Sequence, residues 1–353
     1  MRYRYRYSEC ARCADACPHQ AIELADSGAS LVAGKCQNCA LCVSACHTGA
    51  WSAAGFKPID ILRLAIKAEH LSIACAPSGM PADVIVPCLG NLDACTLAYL
   101  EKRLVSVSLL GVGHCVECAH APEGEEQLAT NLDALAGLRR AAAPETWRET
   151  SISNASAAAT SLKAPRFVAG RRHLFRRLIG RGVDDLVSGE ASEGPPKLVP
   201  DKAIRAGGHA LTEQRELLQI VATRKDGQPF RVARHEALPA FDLTLAPGCT
   251  LCQACFRVCP TGAIRIIENP GDWALVFQRD RCVACGVCLE VCQLRVLDAT
   301  VQMDLTPDQP ARPLISQAKQ RCERCDRFFV SPRVEETCLV CRDDQDAFSA
   351  IFG

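Results

Sequence analysis

The spacing of its cysteines constrains this chain more than any other feature. Cys36, Cys39, Cys42 and Cys46 stand two, two and three residues apart, and the same rhythm returns in Cys249, Cys252, Cys255, Cys259 and in Cys282, Cys285, Cys288, Cys292. A further run at the N-terminus holds Cys10, Cys13 and Cys17 in that register, with Tyr7 where the first thiol would stand. Pro18 and Pro260 follow the last cysteine of two runs. This is the spacing of bacterial iron-sulfur ligation. Two-residue gaps put three sulfurs on one tight loop, facing three corners of a 4Fe-4S cube, while the fourth cysteine points away and ligates the other cluster of a pair.

The segments CARCADACPHQAI with CQNCALCVSACHTGA, and CTLCQACFRVCPTGAI with CVACGVCLEVC, resemble the dicluster bacterial ferredoxin family. The resemblance implies two pseudo-twofold lobes, expected over residues 1–56 and 241–303. The 18 residues between Cys17 and Cys36 and the 22 between Cys259 and Cys282 leave room for a short helix and a hairpin in each. Crossed pairing joins Cys36, Cys39 and Cys42 to Cys17, Cys249, Cys252 and Cys255 to Cys292, and Cys282, Cys285 and Cys288 to Cys259. Three complete 4Fe-4S sites are thus expected. A fourth set, Cys10, Cys13 and Cys46, lacks its partner at Tyr7. It holds a three-iron or labile cluster, or else the three cysteines are remnants of an empty site. Phenolate ligation by Tyr7 is the rare third option.

At 353 residues the chain is long enough for two or three domains. Its 24 cysteines are too many and too regularly spaced for a secreted disulfide scaffold. Residues 1–7 are basic but no apolar stretch follows them, so a cytoplasmic location is expected. The longest apolar run, residues 104–113 between Arg103 and His114, is too short to span a bilayer. With 40 basic and 40 acidic side chains the formal net charge is zero, and no electrostatic footprint for nucleic acid appears. Each oxidised cluster with four thiolates brings about −2, so the loaded chain is acidic. Arg12, Lys35, Arg257, Arg279 and Arg281 beside the runs either offset that charge or form ordinary surface.

Between the lobes, residues 57–142 read as a small α/β domain: helices over 58–70, 93–103 and 125–140, strands over 71–75, 83–88 and 104–110. The link between the first two strands is short for a crossover, which leaves its topology open. If the strands are parallel, Cys75, Cys88, Cys115 and Cys118 emerge at one sheet edge and form a candidate iron-sulfur site. The segment VPCLGNLDACTLAYLEKRLVSVSLLGVGHCVECAHA is similar to the delta subunit of methyl-viologen-reducing hydrogenase, which implies a 2Fe-2S cluster on these four. A 4Fe-4S cluster or zinc would satisfy the same thiolates. Cys95 reads as a core residue. His114 and His120 flank the last pair as ligands or hydrogen-bond donors, and His47 stands where the proline of the second run would be.

From about residue 143 to 200 the composition shifts to Ala, Ser, Gly and Pro with scattered charge, and residues 143–240 read as linker. They enclose a basic stretch, Arg171, Arg172, Arg176, Arg177 and Arg181, with Leu174, Phe175, Leu178 and Ile179 on one helical face, and a connector helix over 212–222. A knuckle over 315–346 carries Cys322, Cys325, Cys338 and Cys341, two Cys-x-x-Cys pairs 12 residues apart. Zinc is the favoured occupant and rubredoxin-type iron the alternative. Arg321, Arg324, Arg327, Phe328 and Phe329 cluster beside it without making the surface of a nucleic-acid reader.

These readings converge on an α+β multidomain protein: two ferredoxin-like dicluster lobes, a small central α/β domain and a C-terminal zinc-ribbon-like knuckle. No glycine fingerprint, phosphate loop or nucleophile motif is present. The expected function is a polyferredoxin that relays single electrons to or from a larger redox enzyme, with no transmembrane segment and no nucleic-acid partner. The alternative is an assembly or maturation factor for a molybdenum or other redox enzyme acting through the basic stretch, which is similar to the accessory ferredoxin of periplasmic nitrate reductase systems. A thiol or disulfide reductase subunit built on the central cysteines is the third reading.

Overall fold

A computed structural model of the chain describes residues 5, 7–143, 145–153 and 208–343. The first cysteine runs form only single-turn helices, α1 (Arg12–Asp15) and α2 (Leu41–Ala45), joined through the antiparallel hairpin of β1 (Ile22–Ala25) and β2 (Gly28–Leu31). Gly28 closes that turn at φ 138°, a conformation without steric penalty only for glycine.

Next comes α3 (Pro58–Ala65), entered through the proline that suits a first helical turn. It stops short of the expected residue 70 because the chain there begins a strand, β3 (His70–Cys75). β4 (Val84–Val86), α4 (Ala94–Lys102), β5 (Ser106–Leu110), α5 (Glu123–Ala142) and β6 (Ser151–Ser153) follow. The sheet order is β4-β3-β5-β6 and every neighbour is parallel. The open topology of the short link is thereby resolved. Residues 76–83 turn back through a 3-10 turn at Ala76–Ser78, and the Asp83 carboxylate accepts from the Ser72 amide at 2.8 Å and its hydroxyl at 2.6 Å. β6 is a correction to the linker reading of residues 143–240. Its sequence has no apolar alternation, and what places it is the exposed edge of β5 together with the amide of Thr150, which donates to Glu101 at 2.7 Å.

Leu71, Ile73, Val107 and Leu109 share one face of this sheet and are almost wholly buried, while on the other face the hydroxyls of Ser108 and Ser151 meet at the surface, 3.2 Å apart. α4 is buried along Ala94–Glu101, and the Asp93 side chain caps it by accepting from the amides of Cys95 and Thr96, each at 3.0 Å. Cys95 lies fully buried on that helix, as expected of a core residue.

The basic stretch at residues 171–181 lies outside the described residues. Beyond it α6 (Glu213–Ala222) matches the expected connector helix, with the Thr212 hydroxyl accepting from the Arg215 amide at 3.4 Å. Then come β7 (Arg231–Ala233), β8 (Leu243–Leu245), α7 (Ala254–Val258), β9 (Ile264–Glu268), β10 (Asp272–Phe277), α8 (Val287–Glu290), β11 (Leu297–Ala299), β12 (Gln302–Asp304), β13 (Arg312–Arg321) and β14 (Phe328–Ser331). β8 pairs with β11, β7 with β12, and one sheet runs β14-β13-β10-β9. That sheet crosses the expected gap between residues 303 and 315. The free edge of the β9–β10 hairpin offers unpaired amides and carbonyls, and β13 fills it.

Polar ties hold the N-terminal region against the rest. Gln127 donates to the Leu41 carbonyl at 3.1 Å and Gln214 to the Ser44 carbonyl at 3.0 Å, while within the central region Asn131 donates to the carbonyls of Gly90 and Leu92 at 3.2 and 3.0 Å. Among the described residues no helix is long and apolar enough to cross a membrane.

Candidate metal centres

Three cysteine loops share one backbone signature. The second residue after the first cysteine and the fourth after it both take left-handed conformations: Asn38 and Ala40 at φ 54° and 64°, Leu251 and Gln253 at 53° and 67°, Ala284 and Gly286 at 50° and 75°. Five of these six are not glycine, and each such residue costs about 1–3 kcal/mol unless its surroundings hold it there. Folding of this kind turns three thiols toward one point. A second signature follows the last cysteine of every run, where Gln20, Gly49, Gly262 and Arg295 take φ of 48°, 66°, 67° and 50°. It brings an amide onto the sulfur: Ala21 donates to Cys17 and Ala50 to Cys46, both at 3.4 Å.

The thiols meet in crossed groups. Burial pushes the Cys42 thiol up to about 12, with Cys39, Cys17, Cys13 and Cys36 adding to the rise. Cys255, also pushed up to about 12 by burial, lies near Cys249, Cys252 and Cys292. Cys285 is raised to about 12 by burial and then by Cys282 and Cys259. A cavity between Phe241, Phe277 and Val287 is lined by Cys259, Cys282, Cys285 and Cys288. Four thiols round an apolar cavity suit a cluster, whose potential is set by burial and by hydrogen bonds to sulfur. Raised thiol pKa values mean that protons leave when metal binds.

The N-terminal run departs from the pattern. Ala11, at the position of Ala40, has φ −126°, and Glu9 is not left-handed either. Tyr7 is 66% exposed. Cys13 is nevertheless grouped with Cys46 and Cys10; burial raises its pKa while a hydrogen bond from the Trp51 side chain lowers it. His47 is buried beside this set. Burial first, and then the Arg12 guanidinium, keeps the ring neutral, and Arg12 Nη1 lies 2.7 Å from its Nδ1. The second nitrogen group of Arg12 donates to the Glu236 carbonyl and ties the loop to the chain beyond.

Parallel strands do bring the central cysteines together. Cys75 ends β3, Cys88 lies just past β4, and Cys115 and Cys118 follow β5; all four, with His114 and His120, line one cavity. Burial raises Cys88 to about 12, and Cys75, Cys39 and Cys115 add to the rise. Cys39 belongs to the first lobe, so the central and N-terminal groups are neighbours; Cys39, Cys88 and Leu41 form one small buried cluster. Nε2 of His19 lies 2.9 Å from Nδ1 of His120, and these rings and Cys39 bring ligand atoms within 4.8 Å of one another.

The knuckle differs in scale. The sulfurs of Cys322, Cys325, Cys338 and Cys341 all lie within 4.8 Å of one another. Cys325 and Cys338 are 3.9 Å apart. A tetrahedral ion with bonds of about 2.3 Å to sulfur separates its ligands by about 3.8 Å. The Cys338 amide donates to Cys322 Sγ at 3.3 Å and lowers that thiol to about 6. Among the described residues the ferredoxin-type sets and the central set form no such compact group of four.

Of the cations beside the runs, Arg279 pairs with Asp242 at 3.7 Å and Arg281 donates to the Thr261 carbonyl at 2.6 Å. Arg257 donates to Gln253 at 3.0 Å. Sequence reasoning missed Arg215. It is 1% exposed on α6 and donates to the carbonyls of Cys282 at 2.7 Å and Arg279 at 3.0 Å. Its only signal was a charge on the apolar side of a connector helix.

Residues 8–50 and 248–296 match the family model of the 4Fe-4S dicluster domain, so the chain is an iron-sulfur protein with two dicluster regions. A 51-residue segment is 33% identical to a subunit of the ion-translocating oxidoreductase complex of Methanosarcina acetivorans, covering 14% of this chain and 18% of that relative. Together these matches support an iron-sulfur electron-transfer function.

Proposed function

We propose that the chain is a polyferredoxin that passes single electrons to or from a larger redox enzyme. The observation that carries this reading is the crossed grouping of thiols, with Cys259 sharing one cavity with Cys282, Cys285 and Cys288. Cys36, Cys39, Cys42 with Cys17, Cys249, Cys252, Cys255 with Cys292, and Cys282, Cys285, Cys288 with Cys259 each hold a 4Fe-4S cluster. Such clusters carry the redox chemistry, and the chain fixes their spacing and solvent access.

Cys75, Cys88, Cys115 and Cys118 hold a further cluster, 2Fe-2S or 4Fe-4S. All four line one cavity together with His114 and His120. The knuckle takes zinc, which pins the turn between β13 and β14 to the Cys338 and Cys341 segment. The sites form a series: the central set adjoins the first region through Cys88 and Cys39, and Cys10 of the first region and Cys285 of the second line one cleft. Cys36 and Cys252 are exposed, which suits exchange with partners. The likeness to a component of an ion-translocating oxidoreductase supports a redox complex as the partner class. A reducing compartment, the cytoplasm, is where these thiols would be loaded.

Iron, sulfide and zinc counts on anaerobically purified protein, with electron paramagnetic resonance during reductive titration, test this. Zinc and several reversibly reducible clusters are expected. Fewer than two reducible 4Fe-4S clusters per chain would refute the electron-carrier reading.

A further inference from the structure

We propose that Cys10, Cys13 and Cys46 hold a 4Fe-4S cluster with one position free of protein thiolate, open to the cleft between the two dicluster regions, where it binds a small exogenous thiol. The inference rests on the electron-carrier reading and goes beyond it by assigning a ligand-binding centre.

No other cysteine is left to complete this set. All 24 cysteines lie among the described residues, and those outside the runs belong to the central cavity or the knuckle, apart from Cys95. That residue is fully buried on α4 beside Asp93 and Arg215. Nor does the backbone deliver Tyr7 as the other loops deliver Cys36, Cys249 and Cys282. The two left-handed residues that fold those loops inward have no counterpart at Glu9 and Ala11, where φ of Ala11 is −126°.

The other half of the site keeps its full construction. Gln20 and Gly49 retain the left-handed turn after the last cysteine of each run, and Ala50 donates to Cys46 Sγ at 3.4 Å. Three thiols are therefore grouped, supported and short of a fourth. Cys10 also lines a cleft of about 760 Å³, with Glu9 and Asp15 on its own side and Arg234, His235 and Cys285 across it. Pockets that hold small molecules run from about 300 to 1,000 Å³, so the space admits a small ligand beside the open position.

Soft sulfur donors suit iron-sulfur centres, which makes a thiol the fitting class. Binding is a ligand exchange without change of redox state: the thiol loses its proton to solvent, its sulfur bonds iron, and a water leaves. No electron donor or oxidant is needed.

The test loads the full-length protein with ⁵⁷Fe and sulfide and records Mössbauer spectra with and without 2-mercaptoethanol. Wild type is expected to show one iron site that moves on adding the thiol. Cys13→Ser should lose that site while the Cys249 and Cys282 clusters persist. Tyr7→Phe should leave both the cluster and its response to thiol unchanged. The proposal is overturned if the clusters of the second region are present but no site responds to thiol, if the response survives in Cys13→Ser, or if Tyr7→Phe alters the spectrum before thiol is added, which would make Tyr7 the ligand. Absence of every 4Fe-4S signal, including those of the second region, would instead overturn the electron-carrier reading, and this proposal with it.

Discussion

His19 and His120 meet edge-on, with 2.9 Å between Nε2 of one and Nδ1 of the other. His19 stands two residues after Cys17 and His120 two residues after Cys118, so the contact joins the first dicluster region to the central cysteines. Replacing His120 with Phe keeps the ring and removes the hydrogen bond, at a cost of about 1 kcal/mol. We expect a lower denaturation midpoint and slower redistribution of electrons between the two sites after flash reduction, with iron content unchanged.

Arg215 places a buried cation on the backbone of the Cys282 loop. A positive charge favours the reduced, more negative cluster. Arg215→Met should therefore make the potential of the Cys282 cluster more negative, on the order of 100 mV for a charge at close range and an effective dielectric of about 20. Redox titration followed by electron paramagnetic resonance reads the shift.

Glu101 is fully buried and receives Arg139 at 3.0 and 2.7 Å through two nitrogens. The same carboxylate accepts from the Thr150 amide at the head of β6. Glu101→Ala leaves the Thr150 amide without its acceptor while Arg139 keeps Glu149 at 2.6 Å, and should cost about 1–3 kcal/mol. Chemical denaturation of the loaded protein measures it, and hydrogen exchange at β6 should rise.

Cys42, Cys88, Cys255 and Cys285 have thiols raised by burial from an ordinary value of 9.0 to about 12. In the metal-free protein the folded chain holds these protons more tightly than the unfolded one. Their contribution to stability is thus complete below pH 9 and lost as pH rises toward about 12. Denaturant midpoints of metal-free protein should fall across that window. Loaded protein, with its sulfurs bound to metal, should show a flatter dependence.

The cysteine rhythm was legible because cluster ligation is local: three thiols on one loop need fixed gaps, and the repeated beat is visible without any fold. The knuckle was legible for the same reason, its ligands lying on two short turns. The α4 cap at Asp93 and the connector helix after Thr212 also followed from neighbouring residues. The outer strands were harder. β6 has three small or isolated side chains and is held by the edge of β5, and β13 is drawn to β10 by that strand's free hydrogen-bonding groups.

Cysteine spacing alone specifies the chemistry and its local geometry: which thiols share a loop, which thiol is missing at Tyr7, and where proline and glycine let the chain turn. Only the tertiary structure decided which groups face one another. Bringing Cys75, Cys88, Cys115 and Cys118 to one cavity required parallel strands linked by a turn too short for a helix. The approach of Cys39 to Cys88, the cleft shared by Cys10 and Cys285, and the burial of Arg215 required whole regions to pack together. These relations depend on contacts between residues far apart in the chain, and short-range spacing carries no record of them.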